Sequence, residues 1–406
     1  MRIQVHPADV GGCGHYRLIW AAEALGYAGA DIDLVVPDTP QAAINCLPNI
    51  SASAAAGRPV LGRLRDAPDY DVLVLQRPLT HQLVEVIRLH QAAGVAVVVE
   101  IDDDFETIDP ANIAWRTVNP ALSPDRNWHH LREAARIADL VTVTTPALAH
   151  RYGRHGRVVI IPNHVPSKYL HVLTDPHDGI RVGWSGSIDT HPHDLQVTRG
   201  AVGRLLAEHG LTFHLIGSGR VKAYDAAGTE VEITDVRILD NLGIRAGETF
   251  AHTGGWLPLV NYAPAMAELD VGIVPLAAGA FNEGKSWLKG LELASVGVPF
   301  VATPTGPYRD LVALGAGVLA DRPRTWYSSL DRLITDDDYR YELGQAGRRV
   351  ANSWLIENNL EKWLDAWTVA RRNADRRRPS PAKPSPNIPR FIPPWPVSAT
   401  FTAKAP

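Results

Sequence analysis

The segment Gly279-Ala280-Phe281-Asn282-Glu283-Gly284-Lys285-Ser286 reads G-x-x-x-x-G-K-S, with the apolar run Val271–Leu276 before it and a helix-forming stretch, Trp287–Glu292, after it. Taken alone, that pattern is a loop for nucleotide phosphates, with the lysine and backbone amides around the phosphate oxygens. Such loops usually follow an early strand, however, and no apolar strand ending in a magnesium-binding aspartate follows this one. The same residues suit a more general role. Lys285 and the amides of Gly284 to Ser286, at a helix N-terminus, would neutralise a diphosphate in whichever fold presents them. Glu292 lies seven residues after Lys285, two helical turns on, so it shares that face and could reach a pair of ribose hydroxyls.

Other clusters are less specific. Glu100-Ile101-Asp102-Asp103-Asp104 follows the apolar run Val95–Val99, which puts carboxylates at the end of a central strand. Adjacent acids repel unless something positive or hydroxyl-rich faces them. They could form an Asp-x-Asp site for a divalent metal, bind sugar hydroxyls, or act as a general base, with a solvated loop as the plain alternative. Gly11-Gly12-Cys13-Gly14, after the first strand, leads into a helix and would let a ligand approach the backbone. Its spacing is not that of the dinucleotide fingerprint. His191, His193 and Asp194 resemble metal ligands but have no further strong ligand nearby in sequence, so no metal is expected. Trp256, after two glycines, could stack on a base or simply pack in a core.

The elements that must position these residues follow from patterning. Short β-branched runs alternate with amphipathic stretches, as in parallel βαβ units. Strands are expected at 2–5, 32–36, 71–75, 95–101, 140–144 and 158–161, with helices over 20–25, 81–93 and 128–138. After residue 175 the pattern restarts, with strands at 180–184, 211–216, 236–239, 271–276, 300–302 and 317–320. The expected fold is therefore α/β, two doubly wound Rossmann-like domains facing a cleft, the default ligand site. Domain limits are 1–174 and 175–350. A C-terminal helix over 351–373 carries the apolar stripe Trp354, Leu355, Leu360, Trp363, Leu364 and Trp367. Residues 374–406, with nine prolines and six basic residues against one acidic, read as a disordered tail able at most to make weak anionic contacts.

Composition sets outer limits. The 406 residues carry 40 Lys+Arg against 44 Asp+Glu, a net charge of -4, which argues against any overall electrostatic attraction to nucleic acid or anionic membrane. Two cysteines, Cys13 and Cys46, are too few for a disulfide framework. With no membrane-length apolar run and no cleavable leader, a cytoplasmic protein is expected.

Pro275, the Glu283–Glu292 segment with Val298-Pro299-Phe300-Val301-Ala302-Thr303, Gly183–Ser187, Leu215–Gly219 and Pro162-Asn163 together resemble retaining GT-B glycosyltransferases of family four. The glycine turn followed by Tyr16-Arg17-Leu18 and the Asp-Asp loop resemble the actinobacterial and phage members in particular. The resemblance implies a nucleoside diphosphate sugar as donor substrate, no other cofactor, and metal-independent transfer to a hydroxyl acceptor with retained configuration. Glu292 would hold the ribose and Lys285 with Ser286 the diphosphate, while Gly11, Gly12, Gly186 and Ser187 approach the phosphates from both domains. Asp102 and Asp103 stand where the family has an N-domain histidine. Two departures stand out. Glu283 is the candidate catalytic glutamate facing the donor sugar, but the family separates its paired glutamates by seven residues, whereas Glu283 and Glu292 are separated by eight, with Gly284 in the place of the first. The family's basic pair is absent after the first C-domain strand, so Lys285, helped by Arg220 or His191, would supply the positive charge. A nucleotide-sugar 2-epimerase, a non-catalytic nucleotide- or sugar-binding module and a P-loop NTPase are the rival readings. The acceptor, whether glycan, protein, modified DNA or small molecule, is not legible.

Overall fold

Runs such as Val72-Leu73-Val74-Leu75-Gln76 and Ala96-Val97-Val98-Val99-Glu100-Ile101 are buried at every position. A strand with no polar face belongs inside a sheet covered on both sides, and parallel strands linked by helices meet that condition. In the computed structural model, which describes residues 1–36, 50–55, 58–174, 176–218, 220–224, 230–244, 250–252 and 257–377, this is what they form. Chain order runs β1 Ile3–His6, β2 Ile32–Leu34, an antiparallel hairpin of β3 Ile50–Ala55 and β4 Arg58–Leu64, then β5 Val72–Gln76, β6 Ala96–Ile101, β7 Leu140–Val143 and β8 Val158–Ile160. The first sheet is parallel, in the order β2-β1-β5-β6-β7-β8.

The second half contributes β9 Val182–Ser187, β10 Phe213–Ser218, a hairpin of β11 Arg220–Tyr224 and β12 Glu230–Thr234, β13 Phe250–His252, β14 Val271–Val274, β15 Phe300–Ala302 and β16 Val318–Leu319. Its parallel sheet runs β13-β10-β9-β14-β15-β16. Counting only its own six strands, this is the doubly wound order 3-2-1-4-5-6, which leaves a crevice beyond the carboxyl ends of β9 and β14 where the winding reverses. The expected α/β architecture of two doubly wound sheets is present.

Two elements differ from expectation. Val236–Leu242 is a helix, not a strand: Asp235 caps it by accepting the Arg237 amide at 2.9 Å, and Ile238 and Leu242, four residues apart, are its buried positions. The third strand of that sheet is the short Phe250–His252. The expected C-terminal helix is also interrupted. One helix ends at Ser353, residues 354–360 turn, and a second runs Glu361–Arg377, past the expected end. This last helix returns to the first sheet and packs on β6 and β7, with Trp363 and Trp367 fully buried. Where the chain returns, Ile356 N–H donates to Val165 O at 2.9 Å and Val165 N–H to Trp354 O at 3.0 Å, so the two segments joining the halves are bonded together. One apolar cluster runs from Ile3 and Val74 through Tyr169 to Trp287 and Leu291, and so belongs to both halves. Among the described residues, no helix is long and apolar enough to cross a membrane.

Candidate functional site

The carboxyl ends of β1, β5 and β6 carry the charged groups of the first sheet. After β1, one Asp9 oxygen accepts the amides of Gly11 (2.9 Å) and Gly14 (3.1 Å), folding the glycine turn back on itself. A Cβ on Gly14 would sit 1.8 Å from the Asp9 carbonyl oxygen, so only glycine fits. Gly11 is thus the N-cap and Gly12 the first residue of a helix that opens with Gly12–Gly14, passes through a π-type turn, His15–Ile19, and continues as Trp20–Tyr27. Directly after β5, Arg77 has a left-handed backbone, φ 50°, an uncommon conformation for a non-glycine residue. Its guanidinium grips Asp102 through two hydrogen bonds of 2.5 and 2.6 Å and lies 3.6 Å from Asp103 and 3.7 Å from Asp9. Burial raises the proton affinity of Asp102, but the Arg77 pair outweighs it and holds the carboxyl below its usual range. Asp102 therefore orients Arg77 and is a poor general base, and Asp103, less buried, is the more available carboxylate.

In the second half, Gly186 and Ser187 end β9 beside Gly217 and Ser218 of β10. Gly217 has φ 120°, and a Cβ there would meet the Gly186 carbonyl at 2.3 Å. The G-x-x-x-x-G-K-S segment is not an open phosphate loop. Ala280–Glu283 is a helical turn, the Gly284 amide bonds the Phe281 carbonyl at 3.1 Å, and the Lys285 amide bonds that of Asn282 at 3.1 Å. These two of the three amides expected to cradle a diphosphate, Gly284 to Ser286, are spent within the turn. Glu283 points outward and is exposed. Asp194 anchors the turn from beneath, accepting the Asn282 side-chain amide (2.7 Å), the Ala277 N–H (2.8 Å) and His191 Nδ1–H (2.6 Å). Burial pushes His191 down to about 4, so it is a neutral donor to Asp194. His193 instead faces Asp109 of the first half at 3.6 Å, and no His191–His193–Asp194 ligand set exists.

The cations converge at the helix Leu288–Ser295. Lys289 was not singled out in the sequence. Its ammonium donates to the Ser185 carbonyl at 2.5 Å and lies 5.7 Å from the Trp184 ring, and burial lowers its pKa to about 8 against the pull of Glu292. Glu292 is 2% exposed; burial raises its pKa to about 7, offset in part by the Tyr16 hydroxyl and Lys289. Lys285 projects from the preceding turn, with its ammonium 4.3 Å from the Phe281 ring centre. Trp256 lies outside the described residues, and Arg220 opens β11, a hairpin strand.

The two halves meet through these same residues. Lys285 Nζ donates to Asp103 at 3.0 Å, and Thr145 Oγ1 donates to the Gly284 carbonyl at 3.1 Å. Asn163 is the hub. Its side-chain NH2 donates to Ser286 Oγ (2.7 Å), its side-chain oxygen accepts Arg17 Nη1–H (2.7 Å), and its carbonyl accepts the Trp287 indole N–H (3.0 Å). Arg17, 1% exposed, in turn pairs with Glu100 at 2.7 Å, and Thr142 donates to the same carboxylate. Nothing in the sequence alone assigns Arg17 or Asn163 a chemical role. The only trace of them in the sequence is that each falls inside a segment resembling known glycosyltransferases. Among the described residues no group of three His, Cys, Asp or Glu is placed to hold a metal.

The chain matches no family profile and no curated protein sequence. Its likeness is to solved structures. The catalytic domain of starch synthase IV from Arabidopsis thaliana, bound to ADP and acarbose, superposes with a TM-score of 0.59 at 12% identity over 93% of this chain and 100% of that one. Sucrose-phosphate synthase from Thermosynechococcus elongatus gives 0.57 at 16% identity over 91% and 99%. Anabaena HepE in complex with UDP and glucose gives 0.54 at 13% identity over 90% and 98%. At such identities the likeness is one of fold, and that fold is GT-B.

Proposed function

We propose that the chain is a glycosyltransferase that takes a sugar from a nucleoside diphosphate sugar and attaches it to a hydroxyl acceptor. The observation that carries the reading is the convergence of Lys285, Lys289 and the start of helix Leu288–Ser295 at the carboxyl ends of the second sheet, facing the first. Two ammonium groups and a helix N-terminus suit a diphosphate whose charge grows as it departs, and such preorganised groups typically contribute a few kcal/mol each. In the reaction the bond from the anomeric carbon to the β-phosphate oxygen breaks, with its electrons passing to the diphosphate. The acceptor oxygen bonds the same carbon and gives up its proton to the departing phosphate or to a nearby carboxylate. With retained configuration, as the resemblance to family four implies, both events occur on one face of the sugar.

No resident metal is part of this reading. Arg77 and Lys285 already neutralise the Asp102–Asp103 loop, and the lysines meet the phosphate charge. Glu292 is the ribose ligand once the Tyr16 hydroxyl gives way, and the backbone at Gly186 and Ser187, at the carboxyl end of β9, is what the phosphates would approach. A neighbour bound to UDP and glucose, and another bound to ADP and acarbose, agree with a nucleotide-linked sugar donor. The test is release of nucleoside diphosphate from a panel of UDP-, ADP-, GDP- and dTDP-sugars, with water as the default acceptor. One donor should be consumed, and Lys285→Ala should lower kcat/KM about 100- to 1,000-fold. Magnesium-dependent phosphate release from ATP, with no sugar nucleotide consumed, would reverse the proposal, and interconversion of the sugar without transfer would favour an epimerase.

A further inference from the structure

The ammonium assigned to the donor phosphate already has an anion on it, and that anion comes from the other half of the molecule. Asp103 Oδ1 accepts Lys285 Nζ–H at 3.0 Å, and its other oxygen lies 3.6 Å from Arg77. The pair is partly shielded, with side-chain exposures of 20% for Lys285 and 24% for Asp103. It is flanked by neutral contacts that also cross the cleft: Thr145 to the Gly284 carbonyl, the Asn112 side chain to the Thr190 carbonyl at 2.8 Å, and the Ile113 N–H to the Asp189 carbonyl at 2.9 Å. A Cβ on Gly284 would lie 3.3 Å from Asp104 Cβ, so the Lys285 turn is already pressed against the acidic loop. On the other side of the site, the Val165–Leu355 pairing and Asn163 tie the halves together independently of Asp103.

We propose that Asp103 is an internal competitor of the donor's diphosphate: in the ligand-free chain it occupies Lys285 from the facing domain and latches the cleft there, and an arriving diphosphate expels it. The inference rests on the donor reading given above, and two physical consequences separate it from a merely structural role for Asp103. A diphosphate brought to Lys285 would sit close to the Asp103 carboxylate, and like charges at that range repel, so binding must separate the pair. Binding then exchanges one ion pair for another, which blunts its dependence on salt. Without the carboxylate, binding makes a new ion pair outright, and its salt dependence becomes steeper.

The experiment measures the affinity of inorganic pyrophosphate, and of UDP, GDP, ADP and dTDP, at low and high salt for the wild-type chain, Asp103→Asn and Asp103→Glu. Removing a partly shielded ion pair that competes with the ligand should tighten binding about three- to tenfold at low salt. The gain should shrink at high salt, and Asp103→Glu, which restores the charge, should return affinity to the wild-type range. Pyrophosphate needs neither base nor sugar and so tests the latch directly. Equal or weaker pyrophosphate binding by Asp103→Asn with an unchanged salt slope would overturn it, as would failure of pyrophosphate to bind either protein. If pyrophosphate behaves as expected while no nucleoside diphosphate binds, the latch stands and the donor reading falls.

Discussion

Buried Glu292 and partly buried Lys289, on neighbouring turns of one helix, are each pushed toward the neutral form, and this has a consequence for pH. Burial raises the folded pKa of Glu292 to about 7, above the ordinary glutamate value of 4.5. The folded chain therefore holds a proton that the unfolded chain has lost between about pH 4.5 and 7. The stability this contributes is fully present below pH 4.5 and is lost as pH rises to about 7. Glu292→Gln should flatten that decline, with the midpoint of thermal unfolding changing less between pH 4.5 and 7 than in wild type. Parallel curves would show that Glu292 does not titrate in this window. Lys289, Arg17, Arg77 and Asn163 could not be found by reading along the chain, because each takes its role from a partner far away in sequence, 104 residues away for Lys289 and Ser185, and 146 for Arg17 and Asn163. Lys285 and Glu292 can be proposed from the sequence because they lie within one short motif. The expected help from the amides of Gly284 and Lys285 failed because a local helical turn already satisfies them.

At the scale of elements, the sheets were readable because strands buried on both faces must be continuous apolar runs, and few other segments look like that. The helix Val236–Leu242 was misread for the same reason: a brief Val-Arg-Ile-Leu run has no clear period, and only the Asp235 cap and the Ile238–Leu242 spacing distinguish it. The helix Glu361–Arg377 is distant in sequence from the sheet it completes. Trp363 donates its indole N–H to the Arg17 carbonyl at 3.0 Å, and Asn373 donates to the Asp139 carbonyl at 2.9 Å, so this helix also braces the buried arginine behind the site. Trp367, with no exposed surface, is the cleanest probe of that packing. Trp367→Ala should cost about 3–5 kcal/mol, the usual range for deleting a buried tryptophan. Chemical denaturation reads this directly, and a loss below about 1 kcal/mol would mean that the helix is not part of the core.

For the whole molecule, two crevices that would each hold half a ligand are made into one by the way the halves meet. The bonded segments at Val165 and Leu355, the Asn163 hub and the shared apolar cluster hold one side, while charged and backbone contacts close the other. The GT-B fold permits many donors and acceptors, so the site must specify the chemistry. That chemistry rests on whether Lys285 and its neighbours bind a nucleoside diphosphate. The most direct measurement is a thermal-unfolding panel of UDP, GDP, ADP and dTDP, each with and without magnesium, on the wild-type chain and on Lys285→Ala. A ligand at 100 times its dissociation constant adds about 2.7 kcal/mol of apparent stability, enough to be seen easily. Stabilisation by one diphosphate, equal with and without magnesium and lost in Lys285→Ala, is the predicted result. No stabilisation by any of the four, or stabilisation that requires magnesium and survives Lys285→Ala, would contradict it.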